Sequence, residues 1–322
     1  MIFSPAERCL IGWDGQNHGL VNAELCQFAD KDGDRIVHYA EFQANAVIRE
    51  WSDPSAPAPE KTDIIRAIIA HSDLRAVNRQ GQNALHTHAE MNIQTGGRLF
   101  FHVLREDPPE YLDDLLKARD HKGNTVLNAA SLWLADEDDY LNFDLGLVRY
   151  LSREFEAIGI AIRDAVRCTV PIPNDGGFTP LMHYMSLISS ASDIDVDYLR
   201  WLLEAGADLL TIDNCGRSLL HVCAETSTEA VTLTEFAQRA IDASAHPAQT
   251  DDFGQTALHG AACNPHCAAS LIQMLSRHCT GVDPSKIKNG NGHSPVEIAR
   301  SNKYHHIAHL IASATIEQNT DQ

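Results

Sequence analysis

The feature that most constrains the fold is a short segment that recurs six times along the chain. Each copy has a glycine, then an asparagine, threonine or serine two residues later, then a leucine or valine after two more. The copies are GQNALH from Gly81, GNTVLN from Gly123, GFTPLM from Gly177, GRSLLH from Gly216, GQTALH from Gly254 and GHSPVE from Gly292. The glycine numbers give intervals of 42, 54, 39, 38 and 38 residues. Such a period predicts stacked repeats rather than one closed core.

Each segment predicts a turn followed by a capped helix. The glycine permits positive φ, and Pro180 and Pro295 take the first helical position, where the missing N–H costs nothing. The predicted N-caps are Asn83, Thr125, Thr179, Ser218, Thr256 and Ser294. The predicted buried anchors are Leu85, Leu127, Leu181, Leu220, Leu258 and Val296. A second amphipathic helix follows each first helix, as in VDYLRWLLEAGAD (residues 196–208), which ends at a glycine stop signal.

Turn, capped helix, loop and second helix, repeated, resemble the ankyrin repeat. GADLLTIDNCGRSLLHVCAE and TDDFGQTALHGAAC come close to that family's glycine, threonine, proline, leucine, histidine and paired alanines. Asn128, Met182 and Glu297 depart from the usual histidine, and the intervals exceed 33 residues. The resemblance covers roughly residues 61–315. It implies an all-α fold, an ankyrin-repeat solenoid of about six repeats with expanded loops, whose concave face binds another protein.

A different pattern precedes the repeats, in FADKDGDRIVHYAEF (residues 28–42). Counting from Asp30 as position 1, carboxylates fall at positions 1, 3, 5 and 12, and this segment resembles a calcium-binding EF-hand loop. The ligands that the resemblance implies are Asp30, Asp32, Asp34, the Ile36 carbonyl, His38 through water, and Glu41. Arg35 stands where the EF-hand has a glycine, which should weaken calcium affinity. The alternative is an acidic loop that keeps the shape without the ion.

The domain boundaries follow from these two patterns. Residues 1–51 are predicted to form a small EF-hand-like helix-loop-helix module, in which residues 14–25 supply a degenerate partner loop. SDPSAPAP lies in a proline-rich linker at 52–60, which should be stiff and extended. The solenoid occupies 61–315, closed at its start by the helix TDIIRAIIAHS, and 316–322 form a tail.

Composition narrows the class of partner. A formal net charge of −19 disfavours binding to nucleic acid or to anionic membrane surfaces. No stretch approaches the apolar length of a membrane span, and the start MIFSPAERCLIGWDG lacks a signal-peptide pattern. Several of the eight cysteines fall on apolar helical positions, where a reduced thiol acts as a small hydrophobe. These features predict a cytoplasmic, monomeric protein.

The resemblance also implies where a protein partner would contact the chain, at the turn tips and just inside the groove. Phe178 and Phe253 are the strongest candidates, because aromatic side chains at exposed tips act as anchors. The full set is Arg79, Gln80, Gln82, His121, Lys122, Asn124, Asp175, Phe178, Asn214, Arg217, Asp252, Phe253 and Gln255. Each of them could equally be an ordinary solvated turn residue.

Three functions remain open at the level of sequence. The leading prediction is a protein-interaction scaffold, modulated or stapled by calcium at residues 30–41. The second is a regulatory fragment of a larger or ancestral enzyme. The third is an enzyme with a Cys/His site in the groove, which would need an unusually reactive thiol near neutral pH. No phosphate loop, HExxH or GxSxG pattern is present, so the chain is predicted not to be an enzyme.

Overall fold

The computed structural model describes residues 26–41, 43–45, 60–90, 98–131, 167–188, 196–226, 231–279, 283 and 285–320. They belong to two compact units. Unit 1 lies within residues 1–133 and 144–169, and unit 2 lies within residues 134–143 and 170–322. The predicted partner loop at 14–25 and residues 52–59 of the predicted linker fall outside the described residues, which begin at Cys26.

Unit 1 is helical throughout its described part. It contains a 3-10 helix at Ile36–Tyr39, which continues into helical residues at 40–41 and 43–45. The α-helices that follow are α1 (Lys61–His71), α2 (Ala84–Glu90), α3 (Arg98–Glu106), α4 (Leu112–Lys117) and α5 (Val126–Ser131). Helix α2 packs between the 3-10 helix and α5, while α1 packs on α3. First helices therefore contact first helices, and second helices contact second helices.

Unit 2 repeats this arrangement with more regular spacing. Its helices are α6 (Pro180–Leu187), α7 (Val196–Glu204), α8 (Leu219–Glu225), α9 (Val231–Asp242), α10 (Ala257–Cys263), α11 (Ala269–Arg277), α12 (Pro295–Ser301) and α13 (His305–Thr320). The first helices α6, α8, α10 and α12 follow one another in contact, and the second helices α9, α11 and α13 do the same. Stacked helical hairpins of this kind are the expected ankyrin-type arrangement.

The predicted all-α class holds for the residues that the structure describes, which contain no strand. Extended pairing there is confined to two isolated bridges, Ala29 with Arg35 and Ile212 with Ser218. No helix among the described residues is both long and apolar enough to cross a membrane. Five of the six predicted anchors are buried, and Val296 is half-buried. The helix faces that carry these anchors therefore form the core.

Seven turns in the described residues share one geometry, and six of them are the predicted ones. An Asp or Asn three residues before each glycine accepts two backbone N–H groups at its Oδ1, one from each residue flanking the glycine. The glycine N–H donates to the carbonyl of that Asp or Asn. All seven glycines have positive φ, between +71° and +82°: Gly33, Gly81, Gly123, Gly177, Gly216, Gly254 and Gly292.

The seventh turn, at Gly33, lies in the segment that resembles an EF-hand. Asp30 Oδ1 accepts the N–H groups of Asp32 at 2.8 Å and of Asp34 at 2.9 Å. The Asp30 N–H donates to the Asp34 carbonyl at 2.9 Å, as the first residue of every other turn does to its own partner. Residues 30–38 therefore have the backbone geometry of a repeat turn and first helix, and they belong to unit 1 together with the Gly81 repeat.

Candidate functional site

Two ladders of hydrogen bonds fix the turns of each unit in register, and their tips form the candidate site. In the outer ladder, the N–H two residues before each glycine donates to the carbonyl one residue before the glycine of the preceding repeat. The rungs in unit 1 are Arg79 to Asp32 at 2.9 Å and His121 to Gln80 at 2.8 Å. The rungs in unit 2 are Asn214 to Gly176 at 3.0 Å, Asp252 to Cys215 at 2.9 Å and Gly290 to Phe253 at 2.7 Å.

The inner ladder uses buried histidines on the first helices. His38, His86, His221 and His259 each place Nε2 within 3.0–3.2 Å of the carbonyl that follows the next glycine. In His38, His221 and His259 the Nδ1 atom accepts the N–H of the helix N-cap residue, which makes Nε2 the donor. Burial lowers the pKa of His38, His86 and His259 below the ordinary value, consistent with a neutral ring in each.

In the Gly123 and Gly292 repeats, which lack this histidine, another side chain accepts the N–H of the N-cap residue. Asn128 Oδ1 accepts the Thr125 N–H at 3.1 Å, and Glu297 Oε2 accepts the Ser294 N–H at 2.8 Å. The three departures from the ankyrin pattern therefore do not break the turn geometry, since Thr179 still accepts the Met182 N–H at 3.4 Å. The backbone hydrogen bonds of the turn are therefore the same in all of these repeats.

The predicted contact residues divide into exposed and buried groups. The exposed ones are Arg79, Gln80, His121, Lys122, Asp175, Asn214, Asp252 and Phe253, while Phe178, Arg217 and Gln255 are half-buried. Phe253 is 62% exposed, although it is a large apolar side chain. Gln82 and Asn124 are only 4% and 5% exposed, and their carbonyls accept the histidine bonds of the inner ladder. These two residues serve the fold, which sequence reasoning did not anticipate.

Phe178 and Arg217 form one group at neighbouring tips of unit 2. The Arg217 guanidinium lies over the Phe178 ring, 5.5 Å from its centroid. Its Nε donates to Asp213 Oδ2 at 2.7 Å and its Nη1 donates to Glu225 Oε2 at 3.1 Å. Phe178 is therefore partly covered by the chain itself, and Phe253 is the better exposed of the two predicted anchors.

The structure gives the predicted calcium ligands separate roles. Asp34 accepts from Asn78 Nδ2 and from the Tyr39 hydroxyl, both at 2.9 Å. Glu41 is buried and its Oε2 accepts the Leu99 N–H at 2.9 Å. His38 is in the inner ladder, and Ile36 opens the 3-10 helix. The observed geometry therefore differs from the predicted EF-hand geometry, because the Asp30, Asp34 and Glu41 carboxylates accept hydrogen bonds from protein donors.

No group of three or more His, Cys, Asp or Glu side chains that could hold a metal ion occurs among the residues the structure describes. Glycine at the fourth position of the loop, rather than the sixth, was the sequence signal for a repeat turn. A second signal was His38, five residues after Gly33, as His86 is after Gly81. Calcium binding itself stays a prediction from the sequence.

Four thiols of the described residues give no support to the Cys/His site that was the third possibility from sequence. Burial raises the pKa of Cys223 and Cys267 to about 12 and that of Cys279 to about 11. The pKa of Cys263 is also raised, first by burial and then by the charge of Glu225. A nucleophilic thiol needs a lowered pKa, so these four groups are protonated near neutral pH.

Comparison with known proteins gives likeness in structure alone. No family model matches the chain, and no curated protein matches it. The crystal structure of the ankyrin repeat domain of Bcl-3 is 21% identical, over 86% of this chain and 99% of that one, with a TM-score of 0.45.

A second solved structure is that of the predatory endopeptidase Bd0816 from Bdellovibrio bacteriovorus in complex with the immunity protein Bd3460. It is 18% identical, over 71% of this chain and 96% of that one, with a TM-score of 0.47. These values are low, so the repeat assignment rests on the seven turns and their two ladders.

Proposed function

We propose that the protein is an interaction scaffold whose turn tips bind another protein. The observation that carries the proposal is the combination of a hydrogen-bonded backbone at the turns and exposed side chains at several of their tips. The outer ladder fixes each tip at a defined distance from the next, and side chains of several chemical types project from these positions. Prearranged tips lose little conformational entropy on binding, which favours recognition of a macromolecule.

Phe253 supports the proposal most directly in unit 2. Its side chain is 62% exposed, yet its carbonyl is held by the Gly290 N–H at 2.7 Å. An exposed aromatic ring on a hydrogen-bonded backbone is the kind of anchor that contributes most of the energy at protein interfaces. Asp252, its neighbour in sequence, and Asn214, at the preceding tip, are exposed polar residues that can form the rim of a contact.

The proposal is tested by photo-crosslinking with the full chain. The photoreactive residue p-benzoylphenylalanine replaces Phe253 in one variant and Glu235, an exposed residue of the second helix α9, in a matched control. After irradiation in native lysate, we expect a discrete protein adduct from position 253. An excess of wild-type chain should reduce the amount of this adduct, because it competes for the same partner. The same adduct from position 235, or none from position 253, would contradict the proposal.

Calcium modulation, a monomeric state and a cytoplasmic location stay predictions from the sequence. The hydrogen bonds of residues 30–41 favour a purely structural role for that loop. The full-chain crosslinking is therefore done with and without a calcium chelator, and we expect the adduct from position 253 in both conditions.

A further inference from the structure

The sign of the charge changes along the chain, between the first repeats and the Gly254 and Gly292 repeats. Residues 253–316 contain five Lys and Arg residues but only two Asp and Glu residues, which gives a formal charge of +3. The whole chain has 25 Lys and Arg and 44 Asp and Glu residues, so the remainder carries −22. The Gly254 and Gly292 repeats are therefore cationic in an otherwise strongly acidic chain.

Both acidic residues of this region are engaged within the fold. Glu297 Oε2 accepts the Ser294 N–H at 2.8 Å as part of the cap of α12. Asp283 accepts the Ser285 hydroxyl at 2.6 Å and pairs with Lys286 at 2.8 Å. No carboxylate of the described residues forms an ion pair with Arg300 or Lys303. The charges of these two cations are therefore not neutralised by a neighbouring side chain in the part of the chain that the structure describes.

Arg300 and Lys303 begin a run of exposed basic and imidazole side chains that contains no Asp or Glu. We name it the 300–309 segment, and its exposed members are Arg300, Lys303, His305, His306 and His309. Lys303 has a φ of +65°, and its N–H donates to the Arg300 carbonyl at 3.0 Å. The Tyr304 N–H donates to the Ala299 carbonyl at 2.8 Å. The loop between α12 and α13 is therefore hydrogen-bonded, and it holds Arg300 and Lys303 next to the first turn of α13.

Arg300 occupies a position that carries a buried alanine in other repeats. Ala89, Ala224 and Ala262 lie eight residues after their glycines, as Arg300 lies after Gly292, and they are at most 1% exposed. In the described residues no repeat follows the Gly292 repeat, and Arg300 is exposed. A polar outer face at the end of a stack favours solubility. Solubility alone does not select a positive charge, since neutral or acidic side chains would serve it equally.

The helix dipole does not account for the positive sign either. Cations are favoured near the C-terminus of a helix, where Arg300 lies, yet the first helices α2 and α8 end at Glu90 and Glu225. The dipole favours anions in the first turn of α13, but that turn contains His305 and His306 and no acidic residue. The composition of the 300–309 segment therefore calls for a cause outside its own helices.

We propose that the 300–309 segment binds an acidic segment of a protein partner. The inference rests on the proposed scaffold function and adds a second contact surface together with the chemistry that it recognises. Charge complementarity supports this occupant, because Arg300 and Lys303 can donate charge-assisted hydrogen bonds to carboxylates and the imidazoles add further N–H donors.

The charge of the rest of the chain favours a short acidic peptide over a larger polyanion. At physiological salt, charges more than about 8 Å apart are largely screened, so a peptide seated on the segment meets mainly the local cations. A long nucleic acid or an anionic membrane surface would also approach the remainder of the chain, which carries −22 and repels it.

The test uses fluorescence anisotropy with the full chain and two labelled peptides. One peptide alternates glutamate with serine, and the other has glutamine in place of each glutamate, which keeps the size and removes the charge. We expect the wild-type chain to bind the glutamate peptide at least about tenfold more tightly, since several exposed ion pairs are lost together. Added salt should reduce this difference. Equal binding of the two peptides would overturn the proposal.

Two variants of the segment and one control locate the binding. Arg300→Gln and Lys303→Asn each remove one cation, and asparagine tolerates the positive φ of position 303. Each should weaken binding of the glutamate peptide by up to about fivefold, and the double variant by about tenfold. Arg239→Gln removes an exposed cation of α9 outside the segment and should leave binding unchanged. An equal loss in Arg239→Gln would overturn the assignment to the 300–309 segment.

Two further measurements test other occupants. Tighter binding of a labelled single-stranded oligonucleotide than of a glutamate peptide of equal charge would overturn the proposal of a protein segment. Light scattering of the chain alone reports self-association. If it detected a salt-sensitive dimer that the double variant abolished, a second copy would be the occupant and the proposal would also be overturned. Thermal melts identify any variant that fails to fold, and the two peptides on wild-type chain then decide the outcome.

The failure of this inference can be distinguished from the failure of the scaffold function. If the crosslink from position 253 captures a partner while the glutamate peptide shows no charge dependence, this inference fails and the scaffold function stands. If the glutamate peptide binds as expected but no adduct forms at position 253, the 300–309 segment stands and the tip anchor at Phe253 fails.

Discussion

The turn at Gly33 in unit 1 and the turn at Gly216 in unit 2 share their hydrogen bonds and differ in their side chains. Both glycines have positive φ, +81° and +76°, and both are preceded at the third residue by an aspartate that accepts two backbone N–H groups. Both are followed by a histidine that links to the next repeat, at 3.2 Å and 3.0 Å. The two turns differ only at side chains that take no part in these shared hydrogen bonds.

This comparison shows why one stretch of sequence supports two interpretations. An EF-hand and this repeat turn both place an aspartate before a tight turn, because a carboxylate oxygen satisfies either a cation or converging N–H groups. Asp30 serves the second purpose. The predictions below ask whether the Gly33 repeat behaves energetically as the Gly216 repeat does.

The largest effect is expected from the buried anchors, Val37 and Leu220, which lie four residues after the two glycines and are 0% and 1% exposed. Leu220→Ala should lower the free energy of unfolding by about 2–5 kcal/mol. Val37→Ala removes two buried carbons and should cost about 2 kcal/mol. Urea denaturation measures both. Val77→Ala, at an exposed valine of unit 1, is the control and should stay within about 0.5 kcal/mol. An unchanged free energy of unfolding in Val37→Ala would mean that residues 30–41 and 43–45 do not belong to the core.

The next effect concerns the turn glycines themselves. A Cβ at Gly33 would lie 3.0 Å from the Arg79 nitrogen, and one at Gly216 would lie 3.0 Å from Asp252 Oδ1. Gly33→Ala and Gly216→Ala should therefore cost similar amounts, at least the roughly 1–2 kcal/mol of a left-handed alanine. Gly292→Ala, where no atom lies within 4 Å of the added carbon, isolates the backbone cost alone. Urea denaturation measures both costs. If Gly216→Ala lowered the free energy of unfolding and Gly33→Ala did not, the two turns would not be equivalent.

These same turns show how much of the fold could be predicted from the sequence. Six turns, their caps and most of their anchors follow from local chemistry, since a glycine, an N-cap and an apolar residue act within one or two helical turns. The seventh was missed because Asp30, Asp32, Asp34 and Glu41 matched a pattern defined by charge. The Asp or Asn three residues before each of the seven glycines would have found it.

The candidate site was less predictable than the fold. Gln82, Asn124 and Phe178 all follow a turn glycine, yet the first two are buried and Phe178 is half-buried. Exposure at that position depends on what the adjacent repeat places there, such as the Arg217 guanidinium over Phe178. Such contacts join residues about forty apart in sequence, so no local pattern encodes them.

A smaller effect is expected from pH. Burial lowers the pKa of His38 in the folded chain, and the charge of Asp34 partly opposes it. The unfolded chain therefore binds this proton first, so the stability it contributes is complete above about pH 6.5 and decreases as pH falls toward the folded pKa.

His38→Asn copies the asparagine that the Gly123 repeat has at the equivalent position, Asn128. The change should keep the cap and lose the bond to Gln82, costing about 1 kcal/mol at neutral pH. Urea denaturation at several pH values should show the difference from wild type shrinking as pH falls. Asn128→Ala lacks a titrating group and serves as the control, with a cost independent of His38 ionisation. A difference for His38→Asn that stays constant down to pH 5 would mean that the folded and unfolded pKa values of His38 are equal.

The smallest effect is expected where an EF-hand would show its largest. The side chain of Asp32 is exposed and contacts Lys31 at 3.9 Å, so Asp32→Asn should change stability by less than about 0.5 kcal/mol. Asp30→Asn should also be mild, because Asn78, Asn174 and Asn289 occupy the same position in other turns and accept the same N–H groups. Millimolar calcium should leave the melting temperatures of wild type and both variants unchanged. A calcium-dependent rise in wild type that Asp32→Asn abolishes would show instead that the loop rearranges around an ion, because the carboxylates cannot serve the turn and the cation in one geometry.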